Sequence, residues 1–202
     1  MEKRGKLRIA ITGHRYISCE EQVTLAVERV LLEIEQKHQH DTVSLVSALA
    51  EGSDQLAASA ARNIPDVKIT VVLPMPTDEY LTDFYSEEGK KAFEQLLPQA
   101  DEVIQLPKRD DHKTAYRQLG SYLVQHSDYM VTIWNGDFNH EEGGTGEVVA
   151  EAMRKGKMIY WIYCENEKPG AVNPLHGMKK FGEMQIVRDA KGNAFLPDLS
   201  ES

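Results

Sequence analysis

Apolar positions along this chain fall into short β-branched runs that alternate with stretches of helical spacing. The first run, Leu7 to Thr12 ("LRIAIT"), has the make-up of a strand buried on both faces. After it, "SCEE" offers Ser18 and Glu21 as a capping box, and Val23, Ala26, Val27, Val30, Leu31 and Ile34 recur on one face of a helix. "VSLVS" (43–47) predicts a second strand, and "DQLAASAARN" (54–63) an alanine-rich helix that Pro65 stops. "KITVVLP" (68–74) reads as a third strand, followed by a polar and aromatic segment through Tyr80 and Phe84 and a helix from Glu87 to Leu97. The rhythm then repeats: strands at 102–106, 129–134 and 158–163, with helices at 114–127 and 145–155 between them. Residues 164–183, with Pro169, Gly170, Pro174 and Gly177, show no periodicity and predict loop, while 184–195 predicts a short C-terminal hairpin. This alternation predicts an α/β fold, a three-layer sandwich with a mainly parallel sheet, as a single domain over 1–202 with its core at 7–163.

Composition narrows the partners. At 202 residues and 41% hydrophobic the chain can bury one sizeable core. A formal charge of -9 repels nucleic acid and anionic membranes. Cys19 and Cys164 fit no metal-ligand spacing and no disulfide framework, so a cytoplasmic setting is expected. The apolar run before His14 is too short for a signal peptide or a membrane span. His112, His126, His140 and His176 share no metal spacing and are expected at the surface; no metal and no cofactor are expected.

In open parallel sheets ligands collect beyond the carboxyl ends of strands. That rule selects "TGHR" (12–15), "SALAEGSD" (47–54) and "WNGDFNHEEGGTGE" (134–147). In the last, Gly143, Gly144 and Gly146 either form a simple connector or leave backbone N–H groups open to a phosphate at a helix start, with Thr145 adding a hydroxyl. No stretch reads G-x-x-x-x-G-K-[ST] or G-x-G-x-x-G, which excludes a P-loop and disfavours the usual dinucleotide site. His14 and Arg15 either bind an anion or serve as a turn residue and a surface ion-pair partner. Glu51, Asp54 and Glu147 are placed to cap helices, hold ribose hydroxyls or act on a glycosidic bond, capping being the main expectation for Asp54. Trp134, Tyr80, Phe84 and Tyr116 are expected to pack in the core before stacking on a base.

Taken in order, "ITGHR", "VSALAEGSDQLAASAA", "VVLPMPTDEYLTDF" and "SDYMVTIWNGDFNHEEGGTGEVVAEA" resemble the SLOG superfamily of Rossmann-like domains, which unites DNA-processing Smf proteins with Lonely Guy phosphoribohydrolases. The resemblance covers residues 7–163. It implies a nucleotide or nucleotide-derived ligand with phosphate at the Gly-rich helix start, and a cleft lined by Gly13, His14, Arg15, Gly52, Ser53, Asp54, Gly143, Gly144, Thr145 and Gly146. The Lonely Guy signature P-G-G-x-G-T-x-x-E is not fully matched: Glu142 replaces its proline, Glu147 its threonine and Ala150 its glutamate, while Glu151 lies about 100° further round the helix. Binding or sensing of a nucleotide-like small molecule is therefore the first expectation. The alternative is an N-glycosidic phosphoribohydrolase or transferase, with Glu147 or Asp54 as the carboxylate and Arg15 or His14 as the donor. The single-stranded DNA role of the Smf branch is disfavoured by the acidic charge. A homodimer is expected, twofold association being the commonest closed symmetry.

Overall fold

Ile9, Ala10 and Ile11 are consecutive and all fully buried, so layers must cover both faces of the strand that carries them. The computed structural model, which describes residues 5–138, 143–174, 182 and 184–186, places that strand in the middle of a sheet. In chain order the elements are β1 (Lys6–Gly13), α1 (Glu20–Lys37), β2 (Thr42–Ser47), α2 (Ser53–Ala61), β3 (Lys68–Leu73), α3 (Thr77–Tyr80), α4 (Glu87–Leu96), β4 (Glu102–Gln105), α5 (His112–Gln125), β5 (Tyr129–Trp134), α6 (Thr145–Arg154), β6 (Met158–Tyr163) and β7 (Met184–Ile186).

The sheet order is β4-β3-β2-β1-β5-β6-β7. The first six of these strands are mutually parallel, with Ile9 opposite Leu45 on one side and Tyr129 on the other. β7 pairs antiparallel with β6. The fold is thus a Rossmann-like three-layer α/β sandwich with a mainly parallel sheet, as the alternation predicts; residues 187–195 of the expected hairpin lie outside the described residues. Helix α2 packs against α1 and β1, whereas α5 and α6 pack together and also reach β1. Val23, Ala26, Val27, Val30, Leu31 and Ile34 of α1 are all buried, which confirms its predicted apolar face. Among the described residues no helix is long and apolar enough to cross a membrane.

Two helix starts differ from expectation. The capping box of Ser18 and Glu21 is not formed: Cys19 is the cap residue, left-handed at φ 51° and without a side-chain cap bond. Ser18 Oγ instead accepts from the Glu165 N–H at 3.2 Å, because an antiparallel bridge between Ile17 and Asn166 draws this loop against the chain leaving β6. Helix α5 begins at His112 rather than 114, since the Asp111 carboxylate accepts from the Thr114 N–H at 2.8 Å and caps the turn.

Candidate functional site

The strand order reverses between β1 and β5. From β1 the chain builds outward through β2, β3 and β4, then returns to the centre and builds the other way. Loops leaving the two strands therefore part, and a cleft of about 1380 Å³ opens between them.

On the β1 side the backbone is packed too tightly for any residue but glycine. A Cβ on Gly13 would meet Ser53 Oγ and lie 2.6 Å from the Ile133 carbonyl oxygen. The next residue, His14, donates its N–H to Ile133 O at 3.1 Å and receives at its own carbonyl both the Ser53 N–H (3.1 Å) and the Ser53 hydroxyl (2.7 Å). Gly52 has φ +79° and lies against the Arg15 and His14 carbonyl oxygens. Gly52 and Ser53, expected on the cleft wall, thus lie beneath it and hold the 13–15 turn in place. The His14 ring spans the crevice, its Nε2 accepting from the Asn135 N–H at 3.2 Å. That bond assigns the ring hydrogen of the neutral imidazole to Nδ1.

Arg15 is anchored rather than free. Its Nη1 donates to the Asp83 carbonyl oxygen at 2.9 Å and its Nη2 to the Tyr116 hydroxyl at 3.3 Å, and the guanidinium lies over the rings of Tyr85 and Tyr116. Tyr116 in turn donates to Asp83 Oδ2 at 2.6 Å, and the same oxygen is 2.7 Å from His112 Nδ1. His112 Nε2 faces Glu79 at 3.2 Å. Bonding to Asp83, and then to Glu79, raises the His112 pKa, whereas burial and the Asp83 bond raise that of the Tyr116 phenol, which stays a donor.

The facing wall is the start of α6. Gly144 is its cap residue, and no side chain caps it. The N–H groups of Gly144, Thr145 and Gly146 have no hydrogen-bond acceptor among the described residues. Gly143 differs: its N–H donates to Glu147 Oε2 at 2.6 Å, while Glu147 Oε1 takes both Arg117 Nε and Nη2 at 3.3 Å. Glu151 turns away as its helical position predicts, accepting from Ser121 on α5 at 2.8 Å.

Asp54 is buried at the cleft floor and does not cap α2, whose cap residue is Gly52. Its Oδ2 accepts from Ser47 Oγ and the Ala48 N–H, both at 2.9 Å, so the carboxylate binds the end of β2 instead of its own helix. Burial pushes its pKa up to about 6, against the lowering effect of those hydrogen bonds. Glu51 accepts from the N–H groups of Tyr85 (2.7 Å) and Ser86 (2.9 Å) and from Ser86 Oγ (2.7 Å).

Of the residues expected from sequence, Gly13, His14, Arg15, Asp54, Gly143, Gly144, Thr145 and Gly146 line this one cleft. Trp134, Tyr80 and Phe84 are core residues, at most 7% exposed, while Tyr116 is half-buried on the wall. The sequence reading missed Asp83, Tyr85 and His112. All three follow β3 or β4, so the strand-end rule applied to those strands would have found them. His112 is partly exposed but bound on both ring nitrogens; His140 and His176 lie outside the described residues. Among the described residues no cluster of His, Cys, Asp or Glu is placed to hold a metal ion.

No protein-family model matches the chain, and none of the curated proteins does. Among solved structures, the X-ray structure of TM1055 aligns at TM-score 0.46 and 11% identity, over 76% of this chain and 72% of that one. The molybdenum cofactor binding protein from the phototrophic bacterium Rippkaea orientalis aligns at TM-score 0.46 and 14% identity, over 82% of this chain and 80% of its own.

Proposed function

We propose that this protein binds a nucleotide or nucleotide-derived, phosphate-bearing ligand in the cleft between the ends of β1 and β5, and that it belongs with the SLOG-type domains its motifs resemble. One observation carries the reading: three amides at the start of α6, Gly144 to Gly146, which have no acceptor among the described residues, share a cleft with the Arg15 guanidinium. Unpaired N–H groups and the positive end of a helix dipole attract an anion, and a fixed guanidinium adds charge-assisted bonds. Arg15 meets the Tyr116 hydroxyl, and Gly143 packs on the Cβ of the same tyrosine, so one side chain separates cation from loop. The protein is otherwise acidic, which makes a local cationic and amide-rich wall selective for a small anion over a polyanion.

Calorimetry with nucleoside monophosphates and ribose 5-phosphate tests this. Binding that is lost or weakened about 10- to 100-fold in Arg15→Ala is expected, the range for a hydrogen bond to a charged group. No binding at millimolar ligand overturns it.

A second reading, cleavage of a base–ribose bond, draws on the raised pKa of Asp54, which suits an acid held near neutrality. Against it, the Asp54 carboxylate is occupied by Ser47 and Ala48, and Glu147 is held by Arg117 and Gly143. Release of free base from nucleoside monophosphates, lost in Asp54→Asn, would favour it over simple binding.

A further inference from the structure

We propose that Tyr85, with Tyr16 beside it, is the face on which the planar base of the ligand stacks; this rests on the nucleotide reading above and names the part of the ligand that reading leaves open. The aromatics named from the sequence, expected to pack in the core before stacking on a base, do not offer a ring: Trp134, Tyr80 and Phe84 are buried, and Tyr116 is committed to Asp83 and Arg15. Tyr85 is 68% exposed and Tyr16 36%, and both line the cleft. Exposed apolar side chains scattered singly carry no message, but these two are adjacent, with ring centroids 5.8 Å apart and planes tilted by 38°.

The backbone under Tyr85 is fixed, while its ring, with the Arg15 guanidinium over one face and Tyr16 at its side, keeps most of its surface exposed. Glu51 holds the N–H groups of Tyr85 and Ser86 on one carboxylate, so the ring's position is set by the β2–α2 loop. Arg15 is centred 5.4 Å from that ring and so links it to the anion site. Two rings sandwiching a base must stand about 7 Å apart, twice the van der Waals contact distance. At 5.8 Å, Tyr16 and Tyr85 are too close for that, so the base lies on the open surface of Tyr85 and Tyr16 buttresses it from the side. Tyr116 and Arg15 connect the Gly-rich loop to this ring: a Cβ at Gly143 would lie 3.1 Å from the Tyr116 Cβ, the Tyr116 hydroxyl accepts from Arg15, and Arg15 lies over Tyr85.

The experiment is calorimetry with adenosine monophosphate, guanosine monophosphate and ribose 5-phosphate, on the wild-type chain and on Tyr85→Ala. Stacking tolerates any base, so both nucleotides should bind about 5- to 100-fold more tightly than ribose 5-phosphate. In Tyr85→Ala that ratio should fall towards one, and Tyr85→Trp should restore it. Both native tryptophans are buried, so the ring introduced by Tyr85→Trp should give a fluorescence signal that either nucleotide quenches and ribose 5-phosphate does not. Equal affinity for nucleotide and ribose 5-phosphate, or an unchanged ratio in Tyr85→Ala, overturns the stacking site and leaves the nucleotide reading intact. If neither kind of ligand binds the wild-type chain, the nucleotide reading fails and takes this inference with it.

Discussion

The carboxylate of Glu147 stands where a bound phosphate would feel it most. It accepts from Gly143 N–H and is paired with Arg117, so it acts as an internal anion on the glycine loop. Glu147→Gln should therefore tighten ribose 5-phosphate binding several-fold by removing a like charge, a change that calorimetry reads directly. Asp54 makes a prediction through pH. Its folded pKa of about 6 lies above the usual 3.8, so between these values the folded state binds more protons than the unfolded one. Its contribution is thus unfavourable at neutral pH by about 3 kcal/mol and vanishes below about pH 4. The stability of wild type relative to Asp54→Asn should accordingly fall as pH rises from about 4 to 6, as urea unfolding of both across that window would show. Gly52→Ala should cost about 3 kcal/mol, since φ +79° is strained for alanine and its Cβ would meet the Arg15 carbonyl oxygen. Its effect on binding should be as large as its effect on stability, because the turn it supports carries Arg15.

At the scale of elements, the site is assembled by loops that hold one another. Glu51, on the loop after β2, fixes the turn before α4; His14, after β1, bonds the backbone after β5; Asn135 Nδ2 donates to the Val172 carbonyl oxygen at 2.9 Å and draws in the chain beyond β6. The segment 77–86 is held to the rest by Glu51, by Asp83 and by an aromatic cluster in which Tyr80, Phe84 and Phe93 meet edge to face at 5.2 to 5.8 Å. Glu51→Ala should release the amides of Tyr85 and Ser86 without unfolding the sheet. Hydrogen exchange should quicken at those two positions far more than in β1, and global stability should fall by about 2 kcal/mol.

Taken whole, the molecule is a seven-stranded sheet with its cleft at the carboxyl ends of β1 and β5. A ligand that binds only the folded state should raise unfolding free energy by about 2.7 kcal/mol at a hundred times its dissociation constant, visible as a thermal shift of several degrees with adenosine monophosphate. The strands and the apolar face of α1 were legible because burial imposes a period on the sequence, and because strands covered on both faces need unbroken β-branched runs. Arg15, His14 and the glycine loop were legible for a different reason, their position after strands. The roles of Asp54 and Ser18 were not. Each follows a sequence rule for capping, yet Asp54 bonds the end of β2 and Ser18 the chain after β6, partners set by packing between distant segments.

By itself, then, the sequence determined the layered α/β architecture and the strand ends that line the cleft, because periodicity and glycine placement are local properties of the chain. Only the tertiary structure decided that Gly52 and Ser53 lie under the cleft, that Glu147 occupies an amide of the loop, and that Tyr85 rather than Trp134 offers an open ring. Those outcomes depend on which distant segments the sheet order brings together, and no spacing along the chain encodes that.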